Sequence, residues 1–239
     1  MGRILKMAAA LLGIVSLVGL LGCQSSQATA KQVEEKLEEK YGEKFEVLAL
    51  GNRWGTKDND TVTTNVKAIK NNVIFETVMY KNGELKYDTY LVRKIGTDVG
   101  NVVQEKLKQE GIESKSKLFA MGGEDLVVKT AEMDLMEYIQ THSPEKFVGI
   151  MVVEDNGHAA PAKIAKAFKT AYSELNETTL QADFLIVSSE DYNDAVEVFH
   201  KNADVSEDWL EKFDIISKFY IYLDKDGNES DNEEILKNL

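Results

Sequence analysis

The only cysteine among 239 residues is Cys23, so no disulfide can close within the chain and no site built from several thiolates can form. Whatever this chain folds into must be held by an apolar core. The length is ample for one large core or two smaller ones, well above the size at which small domains depend on covalent or metal staples.

The segment before that cysteine has its own chemistry. Arg3 and Lys6 precede an apolar run from Met7 to Leu21, which ends in Leu20-Leu21-Gly22-Cys23. A charged start, an apolar centre and a small residue at the cut are the three parts of a secretory signal, and the run is too short and wrongly flanked for a spanning helix. The last four residues resemble the lipobox of bacterial lipoproteins, Leu-x-Gly/Ala-Cys. The resemblance implies that Cys23 receives a diacylglycerol thioether and becomes the new N-terminus, which holds the protein on the cell membrane, facing out of the cytoplasm. One acyl chain holds only marginally and two hold stably; a lipoprotein cysteine carries at least two. The expected organisation is a signal peptide over 1–22, a polar tether over 23–30, an N-terminal α+β unit over 31–112 and a C-terminal α/β unit over 113–239. A tether of seven flexible residues spans on the order of 15 Å, so the folded part is expected close to the membrane.

Cleavage before Cys23 leaves 26 basic against 41 acidic side chains, a formal charge of −15. Nucleic-acid binding relies on Lys and Arg neutralising phosphates, so a nucleic-acid partner is not expected. Close contact with anionic headgroups is disfavoured for the same reason. The simplest consequence of the charge is solubility outside the cell.

Val33, Leu37 and Tyr41 recur every fourth residue beside a charged face, which predicts a helix from Lys31 that Gly42 ends. Strands are expected from Phe45 to about Leu50, from Thr61 to Ile69 and from Val73 to Tyr80, with Asn82-Gly83 as a hairpin turn before a short return at Leu85 to Tyr87. Asp88 can cap a second helix in which Leu91, Ile95, Val99, Val103 and Leu107 keep the 3.6 period to Gly111. An antiparallel sheet covered on one side by these two helices is the expected unit. The segments Glu39-Lys40-Tyr41-Gly42-Glu43-Lys44-Phe45-Glu46-Val47 and Tyr87-Asp88-Thr89-Tyr90 resemble recurring features of uncharacterised surface lipoproteins of Gram-positive bacteria. That resemblance implies a location, and carries over no binding or catalytic residue.

Gly111 to Asp125 is the expected boundary, although Leu118-Phe119-Ala120-Met121 could add a strand. Beyond it, helices are expected over Glu132–Gln140, from Pro161 through Leu175, and from Ser189 through Phe199. Strands are expected at Phe147–Val153, Phe184–Val187 and Phe213–Leu223. Strands alternating with helices of this length predict a sheet that is at least partly parallel. The fold class is therefore α+β, an N-terminal antiparallel sheet with flanking helices followed by an α/β unit with a mixed sheet.

Few side chains suggest a site. Asp224-Lys225-Asp226-Gly227-Asn228 matches the first, third and fifth ligand positions of an EF-hand loop, but Glu229 stands where the turn needs glycine and Ile235 where a bidentate Glu closes the shell. A solvated acidic turn is the better account, and no metal is expected. His142, His158 and His200 lack a second ligand at metal spacing. Asp155 and His158, at the end of the strand closing near Val153, are candidates for a polar pocket rim, with a plain strand-end turn as the competing account. Arg53 and Trp54 are candidates for a partner contact, since Arg and Trp are enriched at binding hot spots; packing of the indole over the core edge is the alternative. No nucleophile elbow and no phosphate-cradling glycine loop is present. The expected role is non-enzymatic, binding or accessory in the cell envelope, with no cofactor and with an envelope protein as partner. The alternatives are a hydrolase using a carboxylate pair distant in sequence and a solute-binding lipoprotein.

Overall fold

The structure, a computed structural model, describes residues 29–50, 60–80, 82–122, 133–201, 210 and 212–239. The signal peptide, Cys23, Arg53 and Trp54 lie outside the described residues.

Helix α1 (Ala30–Tyr41) begins one residue before the expected start, because Thr29 caps it. The Thr29 hydroxyl accepts from Gln32 N (3.3 Å) and the Gln32 side chain accepts from Thr29 N (2.9 Å), so two otherwise unpaired donors of the first turn are satisfied. Gly42 ends the helix at φ +71°, a left-handed conformation that a side chain would strain. Strands β1 (Phe45–Leu50), β2 (Thr61–Ala68), β3 (Ile74–Tyr80) and β4 (Leu85–Asp88) then form a four-stranded antiparallel sheet in chain order. One face is apolar, and Val66 and Phe75 there meet Val33 and Leu37 of α1. On the other, Thr63 and Glu76 are exposed and Asn65 and Lys67 half-buried, the alternation expected when one face of a sheet meets water.

The second sheet has five strands in chain order: β5 (Ser114–Met121), β6 (Lys146–Asp155), β7 (Thr179–Ser188), β8 (Ile215–Leu223) and β9 (Asn228–Ser230). Only β6 and β7 run parallel. The connection between them carries α4 (Pro161–Glu174), as a parallel pair requires. One face packs beneath α2 (Tyr90–Gln109), α3 (Leu135–His142), α4 and α6 (Glu233–Leu236). Phe184 is at its centre, its ring edge-on to Phe168 and stacked on Phe219. The opposite face is covered in part by α5 (Tyr192–Lys201), whose Tyr192, Ala195 and Phe199 meet Ile150, Val152, Leu185 and Val187. Where β6 and β7 are covered on both sides, they read in the sequence as unbroken apolar runs, Phe147–Val153 and Phe184–Val187.

The molecule is α+β as expected, but two details differ. Helices α1 and α2 flank the first sheet in the chain, yet the buried residues of α2 from Leu91 to Leu107 belong to the core of the second sheet, and only Tyr90 reaches the first core. The expected boundary over Gly111–Asp125 contains β5, hydrogen-bonded to β6 along its whole length. A cut between 112 and 113 would therefore part α2 from its core, and the change of core falls at Asp88–Tyr90. The cause is a close approach of backbones. A Cβ on Gly96 would lie 1.8 Å from Leu118 O, and one on Gly100 would lie 2.0 Å from Ser116 Oγ, so two glycines one helical turn apart seat α2 directly against β5.

Candidate functional site

The two segments singled out around Tyr41 and Tyr87 are brought together by the fold. Asp88, its side chain 1 % exposed, receives Lys40 Nζ (2.7 Å) and the Tyr41 hydroxyl (2.7 Å). The same carboxylate accepts from Tyr90 N (3.0 Å). The Tyr90 hydroxyl donates to Glu43 and accepts from Asn71 Nδ2 (2.9 Å). Around these groups Tyr41, Phe45, Phe75 and Tyr90 pack mostly edge to face. Burial, followed by the neighbouring Asp88 and Glu43 carboxylates respectively, raises the phenol pKa of Tyr41 and Tyr90 above its ordinary value. Both stay neutral donors at physiological pH. The cluster is a clasp that ties α1 to the start of α2, in which most polar groups are spent on one another while the buried Glu43 Oε2 makes no hydrogen bond.

Asn71 connects that clasp to a cleft. The β2–β3 turn is tight, with Asn72 at φ +58°, and the Asn71 side chain holds it by accepting from Val73 N (3.1 Å). This turn faces α2 and the edge strand β5 across a cavity of about 160 Å³. Arg93 and Thr97 line it from α2, Ser116, Lys117 and Leu118 from β5, and His200 from α5. No carboxylate lines it among the described residues. Arg93 and Lys117 are the charged side chains among its described lining residues, at the junction of the two sheets.

Its walls are held in place. Thr97 Oγ1 donates to Arg93 O (2.9 Å), and Ser116 Oγ accepts from Gln104 Nε2 (2.9 Å). The Arg93 guanidinium sits over the Phe119 ring at 5.3 Å and Lys117 Nζ over the Phe199 ring at 4.9 Å, a geometry in which a cation is stabilised by the ring face. Desolvation, then the ammonium groups of Lys117 and Lys115, lower the pKa of His200. At neutral pH the imidazole is therefore uncharged, and the cleft's positive charge resides on Arg93 and Lys117.

The sites expected from sequence lie elsewhere. Asp155 and His158 belong to the turn between β6 and α4, where Gly157 N points to Asp155 Oδ1 (3.4 Å) and His158 N donates to Asn156 Oδ1 (3.0 Å). His158 is exposed, and neither residue lines the cleft. Arg53 and Trp54 lie outside the described residues. The acidic stretch at Asp224 is the β8–β9 turn. Its Asp224 carboxylate already accepts from Tyr222 Oη (2.6 Å), Asp226 N (2.7 Å) and Gly227 N (2.8 Å). No group of three or more His, Cys, Asp or Glu among the described residues could hold a metal ion. The junction cleft itself escaped sequence reasoning because its cations come from segments far apart. The available clue was a lone arginine, Arg93, on a helix of a strongly acidic chain.

No protein-family model matches this sequence, and no curated protein matches it. The fold is similar to that in the crystal structure of a DUF5037 family protein from Ruminococcus gnavus ATCC 29149, with a TM-score of 0.61, 16% identity, and coverage of 87% of this chain and 97% of that one. At that identity the likeness concerns the fold alone.

Proposed function

We propose that this protein is a lipid-anchored extracytoplasmic lipoprotein with a non-enzymatic binding role, and that the cleft between its sheets is the binding site. The address rests on the signal-like segment that ends at Cys23. The observation that carries the binding role is the recess itself, lined from the β2–β3 turn, α2, β5 and α5, with Thr97 and Ser116 of its polar wall pinned by internal hydrogen bonds. Ligand sites are concave, largely pre-formed and set by a few polar groups. A hydrolase working through a carboxylate pair needs two acids facing one substrate, and none of the described lining residues is an acid.

Two measurements test the proposal. Cys23→Ala should abolish incorporation of a labelled fatty acid, and persistent labelling would refute the anchor. A photoreactive side chain at Asn72, on the cleft, should be protected or crosslinked on intact cells in a way that one at Lys31 is not. Equal behaviour of the two positions would refute the binding site.

A further inference from the structure

We propose that a second recess, beside the β8–β9 turn, binds an alkylammonium group, with carboxylates taking the charged end and an apolar floor taking the methylenes. This site is independent of the junction cleft. Its volume is about 340 Å³, within the roughly 300–1,000 Å³ of small-molecule sites. Ile139 of α3 and Pro144 form the floor, Glu145 stands beside them, Glu177 comes from the α4–β7 loop, and Asp224 and Asp226 from the β8–β9 turn. Lys225 is the one base among the described lining residues. Asp224 is spent within its own turn. Glu145, Glu177 and Asp226 enter no ion pair, and their carboxylates accept no hydrogen bond, among the described residues.

Two observations besides charge point to a ligand. Tyr172, in the last turn of α4, is 9 % exposed, and its hydroxyl is buried with no hydrogen-bond partner. The charges that raise its pKa, after desolvation, are Glu177, Asp224 and Asp226. All three line this recess, so the unpaired oxygen faces it from behind the acids and can accept from an N–H placed there. The second observation is in the backbone: Asn176 and Glu177 are both left-handed, at φ +57° and +55°. Asparagine tolerates that region, whereas glutamate has no such advantage. Glycine would relieve the strain at 177, yet a carboxylate stands there, as expected where a side chain is needed for a site. The floor then separates an organic from an inorganic cation. Ile139 and Pro144 are buried and fit a methylene chain, and no group of three or more His, Cys, Asp or Glu among the described residues could hold a metal.

The test uses the full-length chain in detergent micelles, followed by the amide resonances of Asn176–Thr179 and Asp224–Asp226. Cadaverine and Nα-acetyl-L-lysine methylamide are the probes, 1,5-pentanediol and calcium the comparisons. At least one ammonium probe should shift these resonances, and the tighter one tells whether the source is a free diamine or a lysine side chain of a peptide. The diol should bind at least about tenfold more weakly, the loss expected when a charge-assisted hydrogen bond is removed. Glu177→Gly deletes the carboxylate and relieves its backbone, so it should fold at least as well while weakening the ammonium probe by a similar factor. Tyr172→Phe removes an unpaired buried oxygen, so the melting temperature should hold or rise, yet binding should weaken several-fold. Full affinity in either variant, equal binding of the diol, or displacement of the ammonium probe by equimolar calcium would overturn the assignment. The absence of shifts with both ammonium probes would overturn it as well.

Discussion

The two sheets solve the same problem, covering an apolar face, in different ways. The first places one helix on one face and leaves the other to water, so β2 alternates, with Val62, Thr64, Val66 and Ala68 buried and Thr63, Asn65 and Lys67 facing out. The second places helices on both faces, and β6 runs without a break from Gly149 to Val153 in buried residues. Strand patterning in this chain therefore reports how many sides of a sheet are covered, rather than only where strands lie. The joint between the two sheets is α2, whose first residue lies in one core and whose remaining turns lie in the other. That sharing places a cleft at the junction.

The two cores differ in size, so truncating each should loosen a different part of the molecule. Phe184→Ala removes a fully buried ring that meets Phe168 and Phe219, and such truncations cost about 3–5 kcal/mol. It should lower the urea midpoint and speed amide exchange throughout β6 and β7. Phe75→Ala opens the smaller core and should release amides of β2 and β3 while those of β6 and β7 stay protected, if the sheets open as separate units. Equal loss of protection in both sheets would show that α2 couples them into one cooperative body.

A smaller effect tests the joint itself. Gly96→Ala would put a methyl 1.8 Å from Leu118 O, a backbone atom of a paired strand that cannot turn aside. Overpacking of this kind costs about 1–3 kcal/mol, against the roughly 0.4–1 kcal/mol that a favourable Gly→Ala change in a helix would otherwise contribute. A rise in melting temperature would mean that α2 does not need its close seat on β5. The clasp gives a comparable or smaller change: Tyr41→Phe removes a hydrogen bond to the buried Asp88 carboxylate, worth about 1.5–3 kcal/mol when the acceptor is charged. Phe retains the ring packing, so the loss should appear as faster exchange in α1 and β1 alone.

Much of this architecture was legible in the sequence. The helix from Val33 to Tyr41, its glycine stop, the Asn82-Gly83 hairpin and the proline at the start of α4 are local signals, set by periodicity, caps and φ preferences. The partner of α2 was not legible. Its apolar stripe fits either sheet, and only the paired glycines Gly96 and Gly100 hinted at a strand close by. β5 was underrated for a related reason: Ser114, Lys115, Ser116 and Lys117 are linker-like in composition, yet Ser114 is buried and Ser116 is held by Gln104, a tertiary effect that composition does not encode. The cleft was the least legible feature, since Asn71, Arg93, Lys117 and His200 span 130 positions and share no spacing.

The smallest expected effect lies in the cleft and distinguishes the second sheet from the first by its charge. Desolvation and the nearby Lys117 and Lys115 hold the His200 pKa below its ordinary 6.5. A base whose folded pKa is lowered binds fewer protons in the native than in the unfolded state, so its contribution to stability is present above the unfolded value and is lost as pH falls through the folded one. His200 should titrate by NMR below 6.5. Lys117→Met should raise the His200 value by removing one neighbouring cation. If Lys117→Met leaves the His200 titration unchanged, the two groups do not share a field, and the cleft is less cationic than its lining implies.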